Sequence, residues 1–448
     1  MLRPAVPGST PVAEEPGPQW VPTRALGRAL VLTGVLIIGA MLLGRVDLVL
    51  LATPFALGTA VALRRRPVRR PRVRVSSGDQ LLGEGGTVDA TISVANADVT
   101  AYDLIVVRTT VDPWLRFEHG DRPYVTPAPR GTIADVELHG EALRWGRHAL
   151  GPTLAYAVAC DGLLISATAV APARQLKVYP VTDPFEADEA MPRAAGLVGG
   201  HRSRRPGEGG ELAGVRQFAP GDRLRRIDWR VSLRTRELYV AATLSDRDAE
   251  VVLLLDVLAE AGRSGGVHGA ASVLDTTVRA AAGIAEHYLH RGDRVSLLEY
   301  GSQIRRLRPA SGRRQYLTVL EWLLDVKPSA ALYEIGGFGF NAQQLPSNAL
   351  FIALTPMIDL RSAGLLARLG RGGRFVVAVD TLPRKLTLPV KGAWGQVAYR
   401  LWLLERANVI GQLREHGIPV VAWAGAGSLD QILRDVSRLA SAPKAVLR

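Results

Sequence analysis

Apolar and polar positions follow three different rhythms along the chain, and each rhythm predicts a different kind of element. Two nearly unbroken apolar segments come first, at 25–43 and 48–63, separated only by Gly44, Arg45, Val46 and Asp47. A membrane helix needs about 20 apolar residues. Both segments are slightly shorter, and Arg28 and Arg45 can extend their stems to reach headgroups. The pair reads as a transmembrane α-hairpin over 24–64, with Pro54 expected to kink its second helix. A cleaved signal peptide is the rival, with Arg24 and Arg28 as its basic region. No small-residue cleavage site follows, however, and a second apolar span comes at once. Residues 1–23 are rich in Pro, Gly and Ala without periodicity, so a disordered tail is expected there.

Over 72–182 the rhythm shortens to period two. In TVDATISVAN, Val88, Ala90, Ile92 and Val94 share one face, while Thr87, Asp89, Thr91 and Ser93 share the other. Further short runs of this kind, broken by Gly, Pro and Asn near every tenth residue, predict an all-β, sandwich-like domain. From 246 to 448 the pattern changes again. EVVLLLD, ending in Asp256, is a continuous apolar run of the kind that fills a strand covered on both faces. Further strands are expected at 294–300, 348–355, 374–380 and 418–423. Helices are expected at 270–290, 314–324, 360–369, 398–416 and 429–439. That alternation predicts an α/β doubly wound domain. The fold class is therefore multidomain, with a connecting segment over 196–245.

Charge refines the picture. The 448 residues carry 55 Lys and Arg against 42 Asp and Glu, a net charge of +13. Most of the excess is Arg, and it clusters. Arg64, Arg65, Arg66, Arg69, Arg70, Arg72 and Arg74 follow the second apolar segment, and Arg3, Arg24 and Arg28 precede the first. The turn between the segments balances one Arg with one Asp. Positive flanks stay inside, which predicts a multi-pass protein of the bacterial cell membrane with both termini cytoplasmic. Such clusters suit anionic membrane lipids. No nucleic-acid-binding signature accompanies them, so no nucleic acid is expected as a partner. The single cysteine, Cys160, excludes an internal disulfide framework and a cysteine-based zinc site.

The connecting segment is the most distinctive stretch of the chain. It reads GVRQFAPGDRLRRIDWRVSLRTRELYV from Gly214 and mixes aromatic residues with Arg. Gly214, Arg216, Phe218, Gly221, Asp222, Arg225, Ile227, Asp228 and Trp229 fall in the pattern G-x-R-x-Y/F-x-x-G-D-x-x-R-x-I-D-W. That pattern resembles the signature of the bacterial domain of unknown function 58 (DUF 58) family. The resemblance implies a membrane-anchored protein with a von Willebrand factor A-like (vWA-like) domain and a MoxR-type AAA+ ATPase as partner. It implies no known reaction. From the residues themselves, Gly221 and Asp222 make a turn, and Ile227 and Trp229 are expected to bury. Asp228 is expected to pair with Arg216 or Arg225. The remaining arginines are left for contact with an acidic partner.

The same resemblance places a metal site at the end of the first α/β strand, where D-x-S-x-S supplies a carboxylate and two hydroxyls. Here the string is Asp256-Val257-Leu258-Ala259-Glu260, so only the aspartate is kept, as a degenerate metal-site position. Pro356 follows Thr355 where a further Asp would be usual, and Asp359 comes three residues later. Mg²⁺ needs hard oxygen ligands in tight geometry. No metal is expected, and Asp256 reads as an electrostatic or capping residue. No phosphate-binding glycine motif occurs at a strand-to-helix junction, so no nucleotide cofactor is expected either. His287 and His290 read as a solvated helix end. No catalytic constellation stands out. The expected function is a non-enzymatic membrane-anchored adaptor or scaffold, acting with that ATPase in assembly or maturation of a protein complex or the cell envelope. The alternative is a hydrolase or phosphate-handling enzyme built on the Arg- and Asp-rich signature.

Overall fold

The computed structural model describes residues 2–4, 19–78, 81–118, 122–182, 206–219, 227–244, 250–302, 304–329, 345–346, 349–383 and 392–423. The chain divides into two compact units, Met1–Val178 and Tyr179–Arg448.

In the first unit, β1 (Leu2–Pro4) and β2 (Trp20–Pro22) precede α1 (Arg24–Leu43) and α2 (Val46–Arg64). Both helices are long and apolar enough to cross a membrane. Twenty residues at about 1.5 Å each reach the 30 Å of a hydrocarbon core. Only Leu26 and Ala40 of α1 and Ala52 and Thr59 of α2 are buried, and most of their other apolar side chains face outward. Gly44 ends α1 in the left-handed conformation (φ 62°), where a side chain would be strained, and so allows the tight reversal. The helix α2 continues through Pro54, and the hydroxyl of Thr53 bonds the carbonyl of Val49 just before it.

Eleven strands follow in this unit. They are β3 (Arg72–Ser77), β4 (Leu82–Gly83), β5 (Thr87–Ala95), β6 (Tyr102–Val111), β7 (Leu115–Phe117) and β8 (Tyr124–Ala128). Then come β9 (Thr132–Ala142), β10 (Gly146–Ala159), β11 (Leu164–Ser166), β12 (Ala169–Ala171) and β13 (Arg174–Tyr179). One sheet runs β1-β9-β5-β3 with β7 beside β9; the other is built around β10. Alternation fixes which side chains go inward. Val88, Ala90, Ile92 and Val94 of β5 share a core with Ile105 and Val107 of β6 and Ala155 and Ala157 of β10. A one-residue slip would turn every one of these outward.

One part of this unit differs from the sequence expectation, and a second feature lay outside it. The tail is not wholly without structure: β1 pairs with β9 and β2 with β11. Trp20 explains the second pairing. Its ring lies 5.4 Å from that of Tyr102, and its indole N–H donates to the Arg69 carbonyl at 3.1 Å. The Arg-rich stretch is likewise fastened down, because Asp98 Oδ2 accepts the backbone N–H of both Val68 and Arg69 at 2.6 Å. Neither pairing shows in hydropathy, since each depends on partners far along the chain.

The second unit contains β14 (Pro206–Gln217), α3 (Trp229–Thr235), β15 (Tyr239–Leu244), β16 (Glu250–Asp256), α4 (Val273–His290), β17 (Arg294–Tyr300) and β18 (Arg305–Ala310). It continues with α5 (Arg313–Leu323), β19 (Ala349–Thr355), α6 (Leu360–Arg371), β20 (Phe375–Asp380), α7 (Ala393–Glu415) and β21 (Val420–Ala422). Six strands form one sheet in the order β18-β17-β16-β19-β20-β21, parallel except for β18. All seven residues of β16 and of β19 are buried. Each buried Leu or Val there contributes roughly 1.5–3 kcal/mol relative to exposure. The helix α4 opens with a capping box in which Ser272 Oγ accepts the Asp275 N–H and Asp275 Oδ2 accepts the Ser272 N–H. The helix expected at 429–439 lies outside the described residues.

Candidate functional site

The signature segment forms a two-stranded antiparallel ribbon of β14 and β15, with α3 inserted between its strands. Gly214 pairs with Ala242 and Arg216 with Val240. Phe218 is half-buried, and its N–H donates to the Leu238 carbonyl at 2.8 Å. Ile227 is half-buried and bridges Val240. Gly221, Asp222 and Arg225 lie outside the described residues.

Asp228 takes a role that the sequence reading did not give it. It is the N-cap of α3, where Oδ1 accepts the backbone N–H of Arg230 at 3.0 Å and of Val231 at 3.1 Å. An aspartate there satisfies donors that the first helical turn leaves unpaired. Ser232 completes the lock. Its hydroxyl donates to the Asp228 carbonyl at 2.7 Å, and the Tyr239 N–H donates to the Ser232 oxygen at 2.9 Å. A D-x-x-x-S spacing was the sequence signal for this turn.

Trp229 corrects the expectation of burial, being 61% exposed. Helical periodicity gives the reason. Val231, Ser232 and Asp228 face the ribbon, which turns Trp229 and Leu233 outward with the exposed Arg230 and Arg234. The segment therefore presents an apolar pair among cations on a short, firmly capped helix.

The second candidate lies at the carboxyl ends of the parallel strands, where ligands of open α/β sheets bind. Asp256 closes β16 and is almost fully buried. Its Oδ1 accepts the Leu258 N–H at 3.1 Å, and its Oδ2 accepts the Thr355 hydroxyl at 2.7 Å. Thr355 Oγ1 also accepts the Met357 N–H at 3.1 Å, which holds Met357 in the left-handed region (φ 53°). Burial raises the Asp256 carboxyl above the ordinary carboxylate range, against the opposing pull of Ser362, Thr355 and the Leu258 amide. Asp359 is different. It caps α6 through the Arg361 N–H at 2.8 Å and receives the Arg361 guanidinium at 2.9 Å. That guanidinium holds the Asp359 carboxyl below its usual range. At the next strand end Asp380 forms an ion pair with Arg406 of α7, and Arg406 Nε donates to the Pro356 carbonyl at 2.9 Å.

This arrangement does not fit a divalent cation. Leu258, at the first hydroxyl position of the metal motif, is buried in the apolar core. Glu260, at the second, is exposed and accepts the Leu274 N–H at the start of α4 at 3.4 Å. Asp359 already has Arg361 as its counter-charge. Among the described residues no group of three or more His, Cys, Asp or Glu side chains is placed to hold a metal. His287 is half-buried near the end of α4, and burial, Arg291 and His290 lower its pKa to about 4.

A charge buried this way gives a test. Because the folded pKa of Asp256 is raised, the proton's stabilising contribution is complete below the unfolded value and is lost as pH rises through the folded one. Asp256→Asn removes that loss. Relative to the wild type, the variant is therefore expected to be most favoured at pH 7. The advantage should shrink as pH falls towards about 4. Thermal unfolding of both proteins at pH 7, 5.5 and 4 checks this. A pH-independent difference would show that the carboxyl is not strained by burial.

Comparisons with known proteins agree with the signature. Residues 214–393 match the sequence model of the family described as protein of unknown function DUF58. Uncharacterized proteins of Mycobacterium bovis and Mycobacterium tuberculosis are 30% identical over 136 residues, covering 30% of this chain and 42% of each relative. The chain therefore matches less than half the length of these relatives. Among solved structures, a cohesin module from a Clostridium perfringens family 33 glycoside hydrolase covers 25% of this chain and 98% of its own, with 12% identity and a TM-score of 0.18. The cupredoxin domain of amoB from Nitrosocaldus yellowstonii covers 24% and 63%, with 11% identity and a TM-score of 0.14. Likenesses this small carry no inference.

Proposed function

We propose that the chain is a membrane-anchored, non-enzymatic adaptor whose second unit is a vWA-like body that works with a MoxR-type AAA+ ATPase. In this reading α1 and α2 cross the bacterial cell membrane, both termini are cytoplasmic, and the β-rich part of the first unit is a sandwich-like spacer. One observation carries the proposal: at both candidate sites the described carboxylates hold the protein's own groups. Asp228 holds two backbone amides, Asp256 an amide and a hydroxyl, and Asp359 an arginine. What faces outward is Trp229 and Leu233 among arginines. Aromatic and Arg side chains of this kind are typical anchors of protein interfaces.

The test is capture of the full chain from gently solubilised membranes, with a MoxR-type ATPase expected to copurify. Electrostatic steering by the Arg-rich segment should make association faster at low salt. The double charge reversal Arg223→Glu and Arg226→Glu should reduce recovery several-fold while membrane location is kept. Those two residues lie outside the described residues and beside α3 in sequence. Equal recovery of the variant across a salt series would sink the Arg-face contact. Failure to recover any such ATPase with the wild-type chain would remove the adaptor reading itself.

A further inference from the structure

Helix α7 has two apolar faces, and its own unit uses only one. Val409, Ile410 and Leu413 pack into the core beneath it, and Arg406 is pinned to Asp380 and the Pro356 carbonyl. On the opposite side Trp394 is 87% exposed, Val397 47%, Leu401 57% and Leu404 62%. These four positions, followed by the exposed Asn408, are spaced three, four, three and four residues apart. That is the a/d seam of a two-stranded coiled coil rather than the broad stripe of a helix lying on a globular core.

The residues beside the seam say what kind of partner fits. With Trp394, Leu401 and Asn408 at a and Val397 and Leu404 at d, Arg400 falls at g and Glu405 at e. In a parallel pair, a g residue meets the e residue five positions later on the other helix, so Arg400 faces Glu405 of a second copy, and the two-fold axis makes that pairing twice. Both side chains are exposed, and neither has an ion-pair partner among the described residues. Asn408 at an a position is the polar residue that favours parallel, two-stranded, in-register pairing. A bilayer would instead favour a broad apolar face flanked by cations, and here one flank is acidic.

We propose that this chain forms a parallel homodimer through the outward face of α7, with Trp394, Val397, Leu401 and Leu404 in the seam and Arg400 paired with Glu405 across it. The face of α7 used to bind its own unit is opposite the seam. Two heptads alone make a marginal coiled coil. Confinement of two anchored copies to one membrane would raise their effective concentration, although the pairing itself is encoded in α7.

Disulfide trapping in the full chain tests the geometry. In a Cys160→Ser background, Leu401→Cys and Leu404→Cys should each give a disulfide-linked dimer under mild oxidation. Leu403→Cys, exposed but outside the seam, should react at least tenfold more slowly. Dimers at neither seam position, or equal rates at all three, would overturn the proposal. A charge-swap series in detergent gives an independent measure. Arg400→Glu should weaken the dimer several-fold by mass photometry, and Arg400→Glu with Glu405→Arg should restore it. A double variant no tighter than the single one would overturn the parallel register.

Discussion

Arginines placed at mid-membrane depth in both N-terminal helices are expected to release the protein from membranes. Val35 and Leu57 point outward from the helical hairpin and lie near the middle of α1 and α2. Each Arg at such a depth costs about 2.5–3.5 kcal/mol on insertion scales, so Val35→Arg with Leu57→Arg removes about 5–7 kcal/mol. Wild-type protein should stay in the pellet after alkaline carbonate washing, and the double variant should appear largely in the supernatant. Leu42→Arg, close to a helix end where the side chain can reach the headgroups, should stay with the wild type. Carbonate extraction of the wild-type chain, or full retention of the double variant, would end the proposal that these helices are an anchor. Labelling of cysteines placed at 44–47 and at the C-terminus then reads the orientation. Reaction of the C-terminus from outside intact cells would reverse it.

The α/β unit was largely legible in the sequence because its strands are buried on both faces. EVVLLLD gives β16 with its observed limits, and the runs expected at 294–300, 348–355 and 374–380 coincide with β17, β19 and β20 to within a residue. The antiparallel edge strand β18 was missed. Its sequence, RRLRPA, puts Arg where a buried strand would carry Val or Leu, and half-exposed edge strands give no continuous apolar run. β14 was hidden for another reason: its GEGGELAG stretch reads as turn.

The site residues were legible as a motif but not in their roles. Asp228 and Trp229 stand where the signature puts them, yet an aromatic residue was expected to bury and a carboxylate to find an arginine. A seven-residue helix beginning at Trp229 overturns the first expectation by placing the tryptophan on its outer side, and it gives the aspartate backbone amides to cap, while Arg225 lies outside the described residues. The pairing of Asp359 with Arg361 was equally invisible. Two residues apart, they meet only because one caps α6 and the other lies in its first turn.

Arg406→Leu is expected to destabilise the second unit strongly. Arg406 and Asp380 are both mostly buried, and their ion pair ties the middle of α7 to the end of β20. Arg406 Nε also holds the carbonyl of Pro356, in the loop that follows Thr355. Removing one partner of a buried pair leaves an uncompensated charge, at about 3–5 kcal/mol. For a unit of this size that lowers Tm by on the order of 10 °C. Arg406→Lys keeps the charge but lacks a planar fork that can serve two acceptors at once, so it should recover only part of the loss. Asp380→Asn combined with Arg406→Leu should recover more, because no buried charge is left alone. Thermal unfolding of the four proteins checks the order. If Arg406→Leu unfolds with the wild type, the pair does not hold α7. If it is destabilised as expected, seam cross-linking at Leu401 and Leu404 below its Tm shows whether α7 needs its own unit in order to present the seam. Loss of discrimination against Leu403 in that variant would mean that the buried pair sets the outward face.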